Sequence, residues 1–194
     1  MNFKQRYIFL FHEIRRLIPD PKRFWLESQE QERPENVVSL VFLPLVILAG
    51  VAVFLGEIIN SVEILWSYAI FKGIREIISY ILQLVIAVPV LSTLLKNFGG
   101  TAGKPEMRLV LVYTLVPFLL TSLITGLFPS LYIVSIAGLY GFYVFAIGAL
   151  VSFEIPVENQ SRYVILAILL IILIFGLVNI LCWRVFQSIF PYVA

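Results

Sequence analysis

An uncharged, apolar run of 45 residues, from Leu109 to Phe153, limits the possible fold of this chain more than any other part of its sequence. As a single α-helix this run would be roughly 68 Å long, more than twice the roughly 30 Å hydrocarbon core of a bilayer. It must therefore fold back on itself. Gly126 and Pro129 stand where a break is needed, and a proline suits the first turn of a following helix. We predict two membrane-spanning helices here, at about 109–127 and 131–153.

Three further uncharged stretches are long enough to cross a membrane, since one crossing needs about 20 apolar residues. They cover residues 37–56, 77–95 and 163–183. Composition agrees, because 60% of the residues are hydrophobic and only 13% are charged, against about 25% charged in an ordinary soluble domain. We therefore predict an all-α integral membrane protein, in which a cytoplasmic tail over 1–36 precedes a bundle of five transmembrane helices over 37–194.

The positions of lysine and arginine predict how the bundle sits in the membrane. With five spans, 11 of the 14 basic residues fall on the side of the N-terminus, and only Lys72, Arg75 and Arg184 fall on the other side. Cytoplasmic loops of membrane proteins carry the excess of Lys and Arg. We therefore expect the N-terminus inside and the C-terminus outside.

The first 17 residues have the pattern of an amphipathic helix, with apolar residues at alternating spacings of four and three. The apolar stripe consists of Phe3, Tyr7, Leu10, Ile14 and Leu17, with Phe11 beside it. Basic residues on the polar positions fit a helix that lies on the inner leaflet, where each is worth about 1 kcal/mol near anionic lipid. The alternative is that the stripe packs against the bundle or a partner.

A second, short helix is predicted to begin at Asp20 and Pro21, because aspartate is a favoured N-cap and proline fits the first helical position. It should run to about Gln31. Phe24 and Trp25 lie within it, and aromatic residues of this kind are typical of the membrane interface. We therefore expect the tail to be anchored at the membrane surface by Phe3, Tyr7, Phe11, Phe24 and Trp25.

Reactive side chains are too few for most active sites. The chain has one His (His12), one Cys (Cys182) and one Asp (Asp20), and its glutamates lie outside the centres of the spans. An intramembrane serine nucleophile would need a base, and aspartyl proteolysis would need two carboxylates within the membrane. Divalent-metal chemistry would need clustered carboxylates. We expect a protein that is not an enzyme, without catalytic residues, a metal site or a cofactor.

The predicted fourth span carries a face of small residues. Its members are Ala137, Gly138, Gly141 and Gly148, with Tyr140 among them. Helices in lipid lack a hydrophobic drive to associate, so small residues favour contact by allowing close backbone approach. Two interpretations stay open: internal packing between spans, or a seam for a second copy or another partner.

Few polar residues lie deep in the spans. A transport function would depend on them, because transporters bind their substrates through polar groups near mid-membrane. Gln83 and Asn179 are candidates for a polar path, together with Thr114 and the helix-distorting Pro117. Such residues also serve packing alone, because a side-chain hydrogen bond between membrane helices contributes about 1 kcal/mol.

Several short motifs, taken in order along the chain, resemble the Yip1-domain family in its short prokaryotic form. The tail has a P-x-P-x-x-F-W arrangement that ends at Trp25. Phe98–Gly100 resembles the F-G-G motif of the family, Tyr113–Pro117 resembles its Y-[ST]-x-x-P motif, and Gly138–Tyr140 its G-L-Y segment. The resemblance covers nearly the whole chain and implies five spans after a cytoplasmic tail. It also makes Tyr113, Thr114 and Pro117 a candidate kink motif.

The resemblance also bears on partners and location. Eukaryotic members are Golgi and endoplasmic reticulum proteins linked to Rab-type GTPases, but the acidic extended tail and the D-L-Y-G-P type motif of that branch are missing here. We therefore do not extend the GTPase contact to this chain, and we expect the plasma membrane of a prokaryote.

For function, we expect a scaffold, adaptor or subunit of a membrane complex that works through protein or lipid contacts. Its partners would be membrane lipids and a membrane protein or a second copy, and no nucleic acid. A small transporter or channel is the alternative. A water-filled cavity at mid-membrane would favour transport. A closed bundle with an exposed face of small residues on the fourth span would favour association with a partner.

Overall fold

The computed structural model describes residues 3–30, 36–63 and 65–190, and most of these residues are helical. Two helices come first, α1 (Phe3–Leu17) and α2 (Pro21–Glu30). The others are α3 (Leu43–Asn60), α4 (Trp66–Asn97), α5 (Lys104–Leu127), α6 (Tyr140–Ser152) and α7 (Val157–Ile189). A π-helical turn, Val38–Phe42, leads into α3, and a 3-10 helical segment, Pro129–Leu139, leads into α6.

Five helical stretches are long and apolar enough to cross a membrane. They are Val38–Asn60, Trp66–Asn97, Lys104–Leu127, Pro129–Ser152 and Val157–Ile189. The prediction of an all-α membrane protein with five spans is confirmed. Each span is longer than its predicted uncharged core, most of all α4 with 32 residues and α7 with 33, because helical structure continues through the charged and aromatic residues at the membrane surface.

The fourth span differs from a simple α-helix. The chain breaks where predicted, since α5 ends at Leu127 and the next segment begins at Pro129. The first eleven residues of this span form a 3-10 helix. Its sequence is apolar on all sides, so it carries no periodicity that would distinguish the tighter helix from an α-helix.

The third span, α5, is the centre of the bundle. It packs against α3, α4, α6 and the 3-10 segment, whereas α7 packs mainly on α4 at the edge. Leu111, Leu115 and Leu119 on α5 are fully buried. This burial follows from the central position of α5 and not from its apolar sequence, because α7 is more apolar and less buried.

The connections alternate between the two ends of the bundle. At one end, the α4–α5 and α6–α7 connections meet, because Thr101 Oγ1 donates a hydrogen bond to Glu154 at 2.7 Å. At the other end, Asn60 at the end of α3 donates to the carbonyl of Leu127 at 3.2 Å, and the ring of Tyr68 packs on Phe190. This alternation is the one that five antiparallel spans require.

Candidate functional site

The N-terminal helices α1 and α2 form a hairpin that packs on the bundle. The backbone N–H of Arg23 donates to Asp20 Oδ1 at 3.0 Å, and Pro21 is the first residue of α2, so the predicted start of this helix is confirmed. Arg16 in the last turn of α1 forms an ion pair with Glu27 of α2. We call residues 3–30 the N-terminal hairpin.

The tip of the N-terminal hairpin reaches the middle of the bundle. Tyr140, half-way along the fourth span, donates from its hydroxyl to the carbonyl of Ile18 at 2.9 Å. Ile18 also shares the wall of a surface cavity with Pro117 and Thr121, which lie past the midpoint of α5. The hairpin therefore lies along the side of the bundle, which differs from the expected position on the membrane surface.

Three aromatic rings hold the hairpin in place, and we call them the aromatic clasp: Phe24, Trp25 and Tyr113. The Tyr113 ring meets Phe24 edge-on at a centroid distance of 4.9 Å and Trp25 at 5.7 Å, the geometry that aromatic pairs favour. The indole N–H of Trp25 donates to the carbonyl of Val144 on α6 at 3.2 Å. All three side chains are at most 3% exposed.

This burial corrects the expected surface position of Phe24 and Trp25. The physical reason is the space that glycine leaves on α6. A Cβ atom built on Gly148 would lie 2.6 Å from Cε2 of Trp25, so the indole occupies the volume that a larger residue would fill. The interfacial preference of aromatic residues does not distinguish this internal position from the membrane surface.

A buried carboxylate adds a polar contact beside the aromatic clasp. The hydroxyl of Tyr113 donates a hydrogen bond to Glu13 of α1, and Glu13 is only 8% exposed. His12 and Arg16 each lie 4.0 Å from the other carboxylate oxygen. Glu13 stands between His12 and the basic Arg15 and Arg16 in the sequence, yet it is buried. Its spacing of three residues from Leu10 and four from Leu17 places Glu13 on the same face of α1 as the apolar stripe, and this spacing indicates burial.

The small-residue face of the fourth span is used for internal packing. Gly141 abuts the carbonyl of Thr114 and the ring of Phe118, and Gly138 abuts Thr121 and the same ring. Gly148 faces Trp25. Gly138, Gly141 and Gly148 are therefore buried inside the protein, and only Ala137 of this face is exposed, in the wall of the cavity beside Ile18.

The candidate kink residues Tyr113, Thr114 and Pro117 are all buried on α5, which continues as one helix through Pro117. Thr114 donates its hydroxyl to the carbonyl of Val110 on its own helix at 2.8 Å. The motif therefore lies at the centre of the bundle, where Tyr113 contacts the N-terminal hairpin.

The candidate polar path is not assembled. Gln83 is buried on α4, and its Oε1 accepts no hydrogen bond within the described part of the chain. Asn179 lies on the exposed side of α7 and donates to the carbonyl of Phe175 on its own helix at 2.9 Å. The two amides therefore face different surroundings.

The remaining candidate anchors lie on α1. Tyr7 is 43% and Phe11 68% exposed, and Ile8 beside them is also exposed. The side chain of Phe3 lies outside the described residues. The role of Tyr7 and Phe11 as surface anchors stays a prediction.

The F-G-G motif forms a second junction at the end where the α4–α5 and α6–α7 connections meet. Gly99 has φ +76°, a left-handed conformation that favours glycine, and it lies against Pro156. The carbonyl of Phe98 accepts a hydrogen bond from Asn159 at 3.2 Å, and its ring packs on Tyr163. The motif therefore joins two connections of the bundle.

Charge on the hairpin is concentrated around Glu27. Arg23 donates to Glu27 at 2.6 Å, and Arg16 bonds the same carboxylate. The hydrogen bonds from Arg23 and then Arg16 hold the pKa of Glu27 below its usual value. The hydrogen bond to Glu27 also raises the pKa of Arg23. These ion pairs tie α1 to α2.

Comparison with known proteins gives the family. A model of the Yip1 domain matches residues 15–180, which is most of the chain. The chain belongs to the Yip1-domain family. The predicted resemblance is confirmed, and with the five spans it makes this a multi-pass membrane protein in contact with lipid. No curated protein and no solved structure gives a significant match.

The matched region of the Yip1 domain starts inside α1 and crosses the predicted boundary at residue 36. The boundary itself stays a prediction, but side chains from both sides of it, such as Trp25 and Val144, belong to one apolar core. Motif residues that are far apart in the sequence meet at the N-terminal hairpin: Phe24 and Trp25 touch Tyr113, and Tyr140 holds the hairpin tip. These contacts therefore hold the N-terminal hairpin against the membrane-spanning bundle.

Proposed function

We propose that this Yip1-domain protein is a non-enzymatic contact protein, acting as a scaffold, adaptor or subunit of a membrane complex. One observation carries the proposal. Asp20 and Lys22 are exposed at the tip of the N-terminal hairpin, and the tip lies beside the middle of the fourth span. At that depth a bilayer is hydrocarbon, where a charged side chain costs roughly 2.5–3.5 kcal/mol on insertion scales.

Such a charged surface needs a polar cover within the membrane. A partner membrane protein or a second copy of this chain with complementary polar groups would supply it. The hairpin would thus act as the surface that receives the partner, held by the aromatic clasp. The exposed Tyr7, Ile8 and Phe11 on α1 would extend this contact to lipid.

Packing at the centre of the bundle supports contact over transport. Leu91, Leu111, Leu115 and Leu119 are fully buried there, and the amides of Gln83 and Asn179 face different surroundings. A transport path would instead need polar or broken segments that line a cavity.

For orientation, we propose the plasma membrane of a prokaryote, with the N-terminus inside and the C-terminus outside. The excess of Lys and Arg on the side of the N-terminus supports this arrangement. Reporter fusions at the C-terminus test it: alkaline phosphatase should be active there and green fluorescent protein dark. The reverse pattern would refute the orientation without affecting the contact role.

Photo-crosslinking in native membranes tests the contact role. A photoreactive residue at Lys22 should give a protein adduct, and the mass of the adduct distinguishes a second copy from another protein. The matched control is Leu169, an exposed residue on α7, which should give lipid adducts. Lipid adducts alone at both positions, with solute flux by the purified protein in vesicles, would overturn the proposal in favour of transport.

A further inference from the structure

A groove runs between α4 and α7 at the end of the bundle opposite the α4–α5 connection. Its volume is about 370 Å³, within the roughly 300–1,000 Å³ of small-molecule sites. The walls are almost entirely apolar, and the one charged side chain among them is Arg75. A largely apolar pocket with a single cation has the composition of a site for an amphiphile.

Arg75 has few hydrogen bonds for a guanidinium group, which carries five N–H donors. It donates from one Nη atom to Glu76 at 3.4 Å, a long contact, and its buried Nε has no partner among residues 3–30, 36–63 and 65–190. A buried donor without an acceptor is costly. The Nη atom of Arg75 and the Oε2 atom of Glu76 also form an ion pair at this distance of 3.4 Å, and the other oxygen of Glu76 accepts a hydrogen bond from Ser122 at 2.8 Å.

The neighbouring cation provides a contrast. Lys72 lies one turn away on α4 and forms a close ion pair with Glu57 at 2.5 Å. Its charge is therefore satisfied within the protein. Arg75 is the cation at this end of α4 that retains capacity for an acceptor.

Charged and aromatic neighbours mark the depth of Arg75 in the membrane. The guanidinium group lies 5.1 Å from the ring of Trp183 and 5.7 Å from that of Phe186. Arg75 stands just before the uncharged stretch 77–95, one turn from Lys72, which pairs with Glu57. This charged end of α4 is therefore at the level of lipid headgroups, where Trp183 is also favoured. Ile78, Leu82 and Leu181 continue the groove toward the centre of the bundle.

We propose that this groove binds a glycerophospholipid. A phosphate oxygen accepts hydrogen bonds from Arg75, and one acyl chain lies along Ile78, Leu82 and Leu181. The order of the groups matches a lipid, with the cation at headgroup depth and the apolar wall below it. This site lies at the far end from the α4–α5 connection and uses none of the hairpin residues, so it goes beyond the proposed function and is tested independently of it.

Native mass spectrometry of the full chain in neutral detergent tests the proposal with phosphatidylglycerol as the probe. Diacylglycerol with the same acyl chains is the comparison lipid. Phosphatidylglycerol should bind about tenfold tighter or more, as expected for a hydrogen bond to a charged group. Arg75→Gln should abolish this difference, whereas Arg184→Gln, which removes an exposed cation outside the groove, should leave it unchanged.

A second pair of variants tests the groove without touching the Arg75–Glu76 contact. Ile78→Trp fills the groove and should weaken binding of both lipids. Ile86→Trp places the same ring at another exposed position of α4 and should leave binding unchanged. Inorganic phosphate should not displace the phospholipid.

Four results would overturn the proposal, and the first three are equal binding of the two lipids to the unmodified protein, unchanged binding to Ile78→Trp, and full displacement by inorganic phosphate. The last would assign the site to free phosphate. Unchanged selectivity in Arg75→Gln would show that the guanidinium group does not receive the headgroup, and would overturn it as well.

Discussion

Gly148→Ala is expected to loosen the N-terminal hairpin. The added Cβ would lie 2.6 Å from Cε2 and 2.7 Å from Cζ2 of Trp25, well inside the roughly 3.5–4.0 Å at which carbon atoms pack. Trp25 is buried between Phe24 and Tyr113, so the indole must retreat by about 1 Å to restore ordinary contact. That movement also weakens its hydrogen bond to Val144.

The expected magnitude follows from three contributions. Overpacking in a well-packed core costs about 1–3 kcal/mol, and loss of the hydrogen bond costs about 0.5–1.5 kcal/mol. Alanine in place of glycine stabilises a helix by about 0.8–1.0 kcal/mol. We therefore expect Gly148→Ala to destabilise hairpin docking by about 0.5–3.7 kcal/mol, which raises the undocked population about 2- to 500-fold.

Gly176→Ala is the matched control, because a Cβ at Gly176 of α7 would meet nothing within 4 Å. This variant should keep only the gain in helix stability, up to about 1 kcal/mol.

Hydrogen exchange in one detergent measures both variants. Amides of residues 5–30 should exchange faster in Gly148→Ala, in proportion to the undocked population, while those of α4 and α5 keep their protection. Gly176→Ala should match the unmodified protein across the hairpin. If Gly148→Ala and Gly176→Ala gave the same exchange over residues 5–30, the contact between Trp25 and α6 would not hold the hairpin.

Three other predictions concern Tyr113, Gly56 and Glu27. Tyr113→Phe removes the donor to Glu13 and should weaken hairpin docking by about 1.5–3 kcal/mol; in a double-mutant cycle with Glu13→Gln, purely additive effects on exchange would contradict this coupling. Gly56→Ala would drive its Cβ into the backbone of Gly126, so the thermal midpoint of the whole bundle should fall, and an unchanged midpoint would refute that crossing. Because the folded-state pKa of Glu27 lies below its usual 4.5, the stability it adds is present above that value and is lost as pH falls through the lower folded value. Tryptophan emission should report hairpin loosening below about pH 4.5, and Glu27→Gln should remove this part of the pH dependence; an identical pH profile in the variant would exclude the role of Glu27.

Much of the fold was predictable because membrane spans are read from length and charge. The run from Leu109 to Phe153 had to break, and Gly126 and Pro129 located the break within a few residues. Local rules also predicted the start of α2, since an Asp–Pro pair favours a helix N-terminus wherever it lies. These features depend on neighbours in the sequence or on the thickness of the bilayer, and neither requires knowledge of tertiary contacts.

The candidate site was only partly predictable. The sequence indicated a separate role for each of the site's main residues: a helix kink for Tyr113, a surface anchor for Trp25 and a packing face for Gly148. Their meeting in one place was not predictable from the pattern, because the spans are apolar on nearly every side and lipid is as apolar as a protein interior. Without a polar face, the sequence of a span does not indicate which side meets another helix.

The five spans, the alternation of their ends and the small number of candidate catalytic groups follow from the amino-acid sequence alone, because they depend on the hydrocarbon thickness and on residue counts. Three features required the folded structure: the N-terminal hairpin lies beside the bundle, Glu13 is buried against Tyr113, and Arg75 lies at one end of an apolar groove. The physical reason is that each of these features depends on contacts between residues far apart in the chain, formed by shape and by single hydrogen bonds.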